Sequence, residues 1–398
     1  MKKILSALLI IPFLLTFSCT AETEEITSSL APSSEVSLKE ETDETVTTDL
    51  PEPSEEISGA EKILSEMTLD EKIYALFIVT PEQLLEDRKA LTDEDYVTDP
   101  SPELLKAISD RPVTGVVLFG GNIKDPDQLK ALTAVFCSSG MIVSIDEEGG
   151  DIVRIAADPD FDVPWFLPVN ESQDPYNMYE QISGYLSDYG FNTDFAPVAD
   201  IAFGGGGVIG SRSFGEDPGS VSLAVEESVK AFNSCGMICV LKHFPGHGGA
   251  SSDSHFGTAV LDKTLDQLMK EEFVPFSSGI SSGAPMVMVG HITVPSVTGD
   301  LPSTLSPSMM SVLRDELGFE GVIITDSFWM AAITDKYGSG EASLMAIEAG
   351  ADIVLMPDDL DDAYKAVKDA VESGRISEEM IDQKVLRILR MKETYGIL

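Results

Sequence analysis

The chain is short of the side chains on which many binding and redox functions rest. Its 398 residues include four histidines and four cysteines, and 26 Lys and Arg stand against 68 Asp and Glu, for a formal charge of −42. A surface of that sign repels nucleic acid and anionic lipid, which removes both as direct partners of a folded part. No Asp-x-Asp-x-Asp-Gly loop accompanies the acidic excess, so the carboxylates read as a solvated surface and not as calcium ligands. No G-x-G-x-x-G follows the first apolar run; Gly204-Gly205-Gly206-Gly207 follows a later one with no helix directly behind it, so the dinucleotide fingerprint is missing. Cys235 and Cys239 stand four apart, Cys239 inside an apolar run, and read as small core residues before a disulfide or metal pair.

What is present begins with Met1-Lys2-Lys3, an apolar run from Ile4 to Phe17, and Ser18-Cys19. A basic start, a short apolar core and a small residue at the cut describe an export signal over residues 1–19, and the run is too short for a comfortable membrane span. Cys19 directly behind it resembles a bacterial lipobox, which predicts a lipidated first residue of the mature protein. Thr16 stands where Leu is usual, and plain secretion is the alternative. Residues 20–58, rich in Thr, Ser, Glu and Pro, cannot bury enough apolar surface to offset their ordering entropy, and read as a disordered, acidic tether. A single folded domain is expected over residues 59–398.

Within it, Ala60 to Met67 reads as a helix and Thr68-Leu69-Asp70-Glu71 as a capped start to the next. Eight apolar runs then alternate with helical segments: 76–79, 115–119, 141–145, 193–196, 237–241, 286–289, 322–325 and 353–356. Helices near 361–375 and 377–393 close the chain. Eight βα units predict an α/β fold of the (β/α)8 TIM-barrel type, with a doubly wound open sheet as the alternative.

In a barrel, chemistry gathers where strands end. The third run exits into Asp146-Glu147-Glu148-Gly149-Gly150, with Arg154 soon after; the fourth leads to Asp194 and Asp200; the fifth, sixth and seventh exit into Lys242-His243, His291 and Asp326. Three of the four histidines lie in one stretch, Lys242-His243-Phe244-Pro245-Gly246-His247-Gly248-Gly249-Ala250-Ser251-Ser252-Asp253-Ser254-His255. Asp253 and His255, two apart on a Gly- and Ser-rich loop, can meet if the loop turns, and a carboxylate then fixes the histidine's tautomer for proton transfer. His243, His247 and His255 as zinc ligands are the competing reading, but no recognised ligand frame surrounds them.

That stretch resembles the signature of family 3 glycoside hydrolases, in the β-N-acetylglucosaminidase (NagZ-like) branch. Other segments agree in order: Met67-Thr68-Leu69-Asp70-Glu71-Lys72, Asp146 to Gly150, Phe195-Ala196-Pro197-Val198-Ala199-Asp200, Ile209 to Pro218, Leu317 to Gly321 and Thr325-Asp326-Ser327. The resemblance implies a retaining exo-β-N-acetylglucosaminidase that is exported, works as a monomer and needs no cofactor or metal. It implies Asp326 as nucleophile, His255 as acid/base oriented by Asp253, and Asp146, Arg154, Arg212, Lys242 and His243 as residues that bind the N-acetylglucosamine unit. His247 is then structural. Such chemistry needs a carboxylate on one face of the sugar and a proton donor toward the leaving oxygen. Gly249-Ala250 stand where the family has Asp-Thr, Asp151 where many members have Arg, and Ser327 where a second Asp often follows the nucleophile. Phe328-Trp329, bulkier than usual, are expected to line the aglycone side. A phosphorylase of the same family and a non-catalytic sugar-binding lipoprotein remain the alternatives.

Overall fold

The computed structural model describes residues 58–85, 96–205, 207–250, 257 and 259–398. The export signal with Cys19, the tether up to residue 57, and the Asp253–His255 pair lie outside the described residues. The first described helix, Gly59–Glu66, starts where Ser58 caps it: Ser58 accepts the Glu61 N–H, and the Glu61 carboxylate accepts the Ser58 N–H in return. Thr68 and Glu71 form the same reciprocal box at the start of Leu69–Tyr74.

Each of the eight apolar runs supplies one strand of a single parallel sheet. The strands are β1 Phe77–Val79, β2 Gly115–Val117, β3 Ile142–Ile145, β4 Thr193–Asp194, β5 Ile238–Phe244, β7 Met286–Val289, β9 Val322–Thr325 and β10 Val354–Leu355. Two short strands, β6 Ala259–Val260 and β8 Ile292–Thr293, pair with each other outside that sheet. The sheet order is β10-β1-β2-β3-β4-β5-β7-β9. Its two ends meet, because Ile353 N–H donates to Ile323 O at 3.1 Å and Thr325 N–H to Ile353 O at 3.0 Å. The expected barrel is therefore closed, and the open sheet is excluded. Strands buried on both faces explain why the sequence shows continuous apolar runs and not alternation.

The crossover helices Pro126–Ser138, Pro175–Asp188 and Pro218–Ser234 all open the same way. An Asp caps the helix by accepting backbone N–H groups, and the Pro behind it occupies a position with no intrahelical N–H to lose. The expected closing helices are Leu360–Glu372 and Glu378–Thr394. Cys239 is buried in β5, as a core residue, while Cys235 is only half-buried; both are free thiols. Among the described residues no helix is long and apolar enough to cross a membrane.

At the opposite end from the strand exits, barrel closure depends on one buried carboxylate. Asp352, which has no exposed surface, accepts the Ile323 N–H at 2.8 Å and Arg314 Nη2 at 2.7 Å, and also takes a short bond from Arg387. Removing one side of such a pair leaves the other uncompensated, at a cost of about 3–5 kcal/mol. Asp352→Ala is expected to lower stability by that amount, read as a lower urea midpoint at unchanged slope, with KM unaffected. A change under about 1 kcal/mol would show that solvent already screens the two guanidinium groups.

Candidate active site

The loop after β3 carries three acidic residues in a row, and each has a different task. Glu147 faces inward: its carboxylate accepts the backbone N–H groups of Arg154, Ile155 and Ala156 at 2.5, 3.1 and 2.9 Å and the Tyr185 hydroxyl at 2.9 Å. It folds the loop back so that Arg154 stands 3.4 Å from Asp146 and over the Phe119 ring at 5.9 Å. The turn that makes this possible contains Gly150 at φ 61°, where a Cβ would sit 2.7 Å from Pro168 Cα.

Asp146 and Glu148 face the barrel mouth, and Lys242 lies between them. Its ammonium donates to Asp146 Oδ1 at 2.8 Å and stands 2.7 Å from Glu148 Oε1. Glu148 also receives a two-pronged bond from Arg212, at 2.8 Å from Nε and 2.6 Å from Nη2. Lys242 is 2% exposed and Glu148 fully buried, so these charges interact in a poorly screened environment. Burial by itself would favour the neutral forms. Lys242 and Arg212 outweigh it at Glu148, holding its carboxyl at about 2, and Lys242 and Arg154 hold Asp146 below the usual carboxylate range. The Lys242 ammonium is raised in turn: burial opposes it, but Asp146 and Glu148 prevail.

Asp194, one strand over, has the opposite fate. It is fully buried, and its Oδ1 accepts only the Glu147 N–H at 2.9 Å while Oδ2 has no hydrogen-bond partner among the described residues. Burial lifts its pKa well above the ordinary carboxylate value, so ionisation is disfavoured there.

The second half of the mouth is built by β5. Lys242 and His243 belong to the strand and do not follow it. Its pairing continues through Phe244 opposite Val289, and Lys242 O accepts the Ala199 N–H at 2.7 Å. The Lys242–His243 peptide is cis. His243 donates Nδ1–H to the buried Asp200 at 2.7 Å, which leaves Nε2 for the mouth. The same carboxylate accepts the backbone N–H groups of His243 at 3.1 Å and His247 at 2.5 Å, which anchors the start of the histidine-bearing loop. Burial opposes the ionised form of Asp200, and the two histidines overcome it. Further along the loop a Cβ at Gly248 would sit 1.8 Å from Ile201 O, so only glycine fits that approach. Burial, reinforced by His243, keeps His247 below the ordinary imidazole value, against the pull of Asp200 and Asp326. Asp326 leaves β9 half-buried at the same end, with its Oδ1 taking the Ser327 N–H at 2.7 Å.

Of the residues singled out from the sequence, Asp146, Arg154, Arg212 and Lys242 form one charge network, completed by Glu148. His243 and Asp326 stand on β5 and directly after β9, with β7 between those two strands. Two functional carboxylates were not given roles in advance. Glu148 was one of three acidic residues with no signal to say which faces the mouth, and Asp200 lies 43 residues from its partner His243. Two of the departures have a structural account. Asp151 accepts the Ser211 hydroxyl at 2.6 Å and so ties the β3 loop to the Arg212 turn. Phe328 does not line the aglycone side: it is 1% exposed and packs 5.5 Å from the His291 ring, since the backbone after Asp326 turns it into the core. Trp329 alone of that pair is partly exposed.

Residues 68–391 match the family described as the glycosyl hydrolase family 3 N terminal domain. The chain belongs to glycosyl hydrolase family 3. A beta-hexosaminidase of Stenotrophomonas maltophilia is 34% identical over 270 residues, spanning 64% of this chain and 80% of that protein. Beta-hexosaminidase A of Pseudoalteromonas piscicida is 30% identical over 73% of this chain, which spans only 55% of that longer protein. The solved structure of a family 3 β-N-acetylglucosaminidase from Paenibacillus sp. str. FPU-7 superposes with a TM-score of 0.74 at 33% identity, covering 83% of this chain and 63% of that one.

In this family 3 barrel, Glu148 and Asp194 make contrasting tests. Glu148→Gln removes the shared anion and is expected to lower kcat/KM about 100-fold by leaving Lys242 and Arg212 in mutual repulsion. The Glu148 pKa is depressed from 4.5 to about 2, so its stabilisation is full above pH 4.5 and is lost as pH falls toward 2. That amounts to about 3 kcal/mol, so the stability gap between wild type and Glu148→Gln should close over that window in acid titrations followed by circular dichroism. For Asp194 the raised pKa is a cost that grows as pH rises above the unfolded value of 3.8. Asp194→Asn should therefore match wild type near pH 3, exceed its stability at pH 8, and keep activity within about twofold. A large loss of activity in that variant would mean that Asp194 works as an anion.

Proposed function

We propose that the protein is a retaining exo-β-N-acetylglucosaminidase that removes terminal GlcNAc from cell-wall fragments or other β-glycosides. The observation that carries this reading is the paired-charge floor of Asp146, Lys242, Glu148 and Arg212, with His243 beside it and Asp326 across the mouth. Such a floor offers fixed donors and acceptors to a neutral polyhydroxylated ring. The family and the beta-hexosaminidase names of the relatives point the same way.

In this reading Asp146, Arg154, Arg212, Lys242 and His243 hold the sugar. An Asp326 carboxylate oxygen attacks the anomeric carbon as the glycosidic C–O bond breaks, and His255 gives its proton to the departing oxygen. Water then attacks the same carbon, His255 takes its proton back, and the bond to Asp326 breaks with net retention. Asp253 holds the His255 tautomer throughout. The protein acts as a monomer outside the cytoplasm, held to the membrane through Cys19 and the acidic tether.

The test is hydrolysis of nitrophenyl-β-GlcNAc. Asp326→Ala and His255→Ala should each lower kcat by about 10³-fold or more, with activated leaving groups partly restoring the histidine variant but not the aspartate variant. Added phosphate should leave the rate unchanged and free GlcNAc as the product; sugar 1-phosphate would replace this reading with a phosphorylase.

A further inference from the structure

His291 leaves β7 toward the barrel mouth and has no exposed surface. Its Nε2 lies 2.8 Å from the Ser327 carbonyl oxygen and its Nδ1 lies 2.9 Å from the Thr304 hydroxyl. A carbonyl oxygen can only accept, so Nε2 carries the proton, and in the neutral ring Nδ1 accepts from Thr304. Ser327 is the residue after Asp326, and its N–H donates to Asp326 Oδ1 at 2.7 Å. One residue's backbone is thus gripped at both ends: its carbonyl by His291, its N–H by the carboxylate of Asp326. The segment behind His291 pairs outside the main sheet. Ile292–Thr293 pairs with Ala259–Val260, which begins four residues after His255 in the chain. Phe328 packs on the His291 ring and closes the arrangement from the core side.

We propose that His291 is a positioning residue: as the Nε2–H tautomer it fixes the Ser327 peptide and, through it, the direction in which the Asp326 carboxylate points. This role rests on the reading of Asp326 as the nucleophile. A carboxylate must meet the anomeric carbon in line with the departing oxygen, and an error of about 1 Å in such a group costs about 100-fold in rate. His291 does not touch the sugar in this arrangement, so it acts on kcat and leaves ground-state binding alone.

The experiment compares wild type, His291→Ala, His291→Gln, Thr304→Val and Asp326→Ala on a series of aryl-β-GlcNAc substrates of graded leaving-group acidity, with thermal melts of every variant. His291→Ala is expected to lose about 100-fold in kcat with KM within about twofold, and kcat should become more sensitive to the leaving group as attack by Asp326 becomes limiting. His291→Gln retains an N–H that reaches the Ser327 carbonyl and should recover at least about tenfold of that loss, at the same melting temperature as the alanine variant. Thr304→Val, which removes the hydroxyl donor to Nδ1, should fall between wild type and His291→Ala. If the alanine variant fails to fold, the glutamine and valine variants carry the test. Equal losses in the alanine and glutamine variants, or a kcat in His291→Ala within about threefold of wild type, would overturn the positioning role. Full activity in Asp326→Ala would instead remove the nucleophile reading on which it rests.

Discussion

The active end of this barrel depends on one shared ammonium. Lys242 sits between Asp146 and Glu148, and Glu148 shares its other side with Arg212. These residues come from the β3 loop, the turn after β4 and β5, so a single network sets the spacing of three neighbouring parts of the mouth. Buried charges hold such spacing only while every one of them has a partner. The chain satisfies that condition locally while its net charge is −42. At the mouth, Asp146 and Glu148 face Lys242, Arg212 and Arg154, so each of these charges has a partner of opposite sign.

The same few residues show how position alone sorts identical functional groups. Asp146, Glu148 and Asp194 are all carboxylates near Lys242, and burial works against ionisation in each. Asp146 and Glu148 overcome it through cations in direct contact. At Asp194 burial prevails: Lys242 pulls at longer range, Glu147 and Asp146 push the other way, and the pKa is raised. A second anion beside Lys242 would compete with the two that position it. Asp194 instead supports the Glu147 backbone, whose N–H it accepts.

Much of this was legible before any coordinates. Strands buried on both faces leave continuous apolar runs, so all eight could be read, and the polar residues behind them gave the mouth. The resemblance to family 3 then assigned roles to Asp146, Arg154, Arg212, Lys242 and His243. What could not be read was direction. After a four-residue strand such as β3, whether Glu147 or Glu148 faces the mouth depends on a loop turning back through Arg154, and no periodicity encodes that. Phe328 misled for the same reason: bulk beside Asp326 suggested a cleft wall, but the backbone sends it under His291. Asp200 was visible as a strand-exit residue, yet its hold on His243 and His247 is a contact across 43 and 47 residues.

The two halves of the proposed reaction therefore rest on different kinds of support. The sugar-binding half is held by charge, in the Lys242 network, where each partner is a side chain and a lost partner leaves a buried ion behind. On the Asp326 side, hydrogen bonds run through the backbone, from Thr304 to His291 to the Ser327 peptide and on to the carboxylate. That division follows from what each half must do. A ring that binds and leaves calls for fixed donors and acceptors already paired in its absence. A nucleophile has to meet the anomeric carbon in a set direction with electron density to give. Orienting Asp326 through the adjoining peptide constrains the direction of its carboxylate.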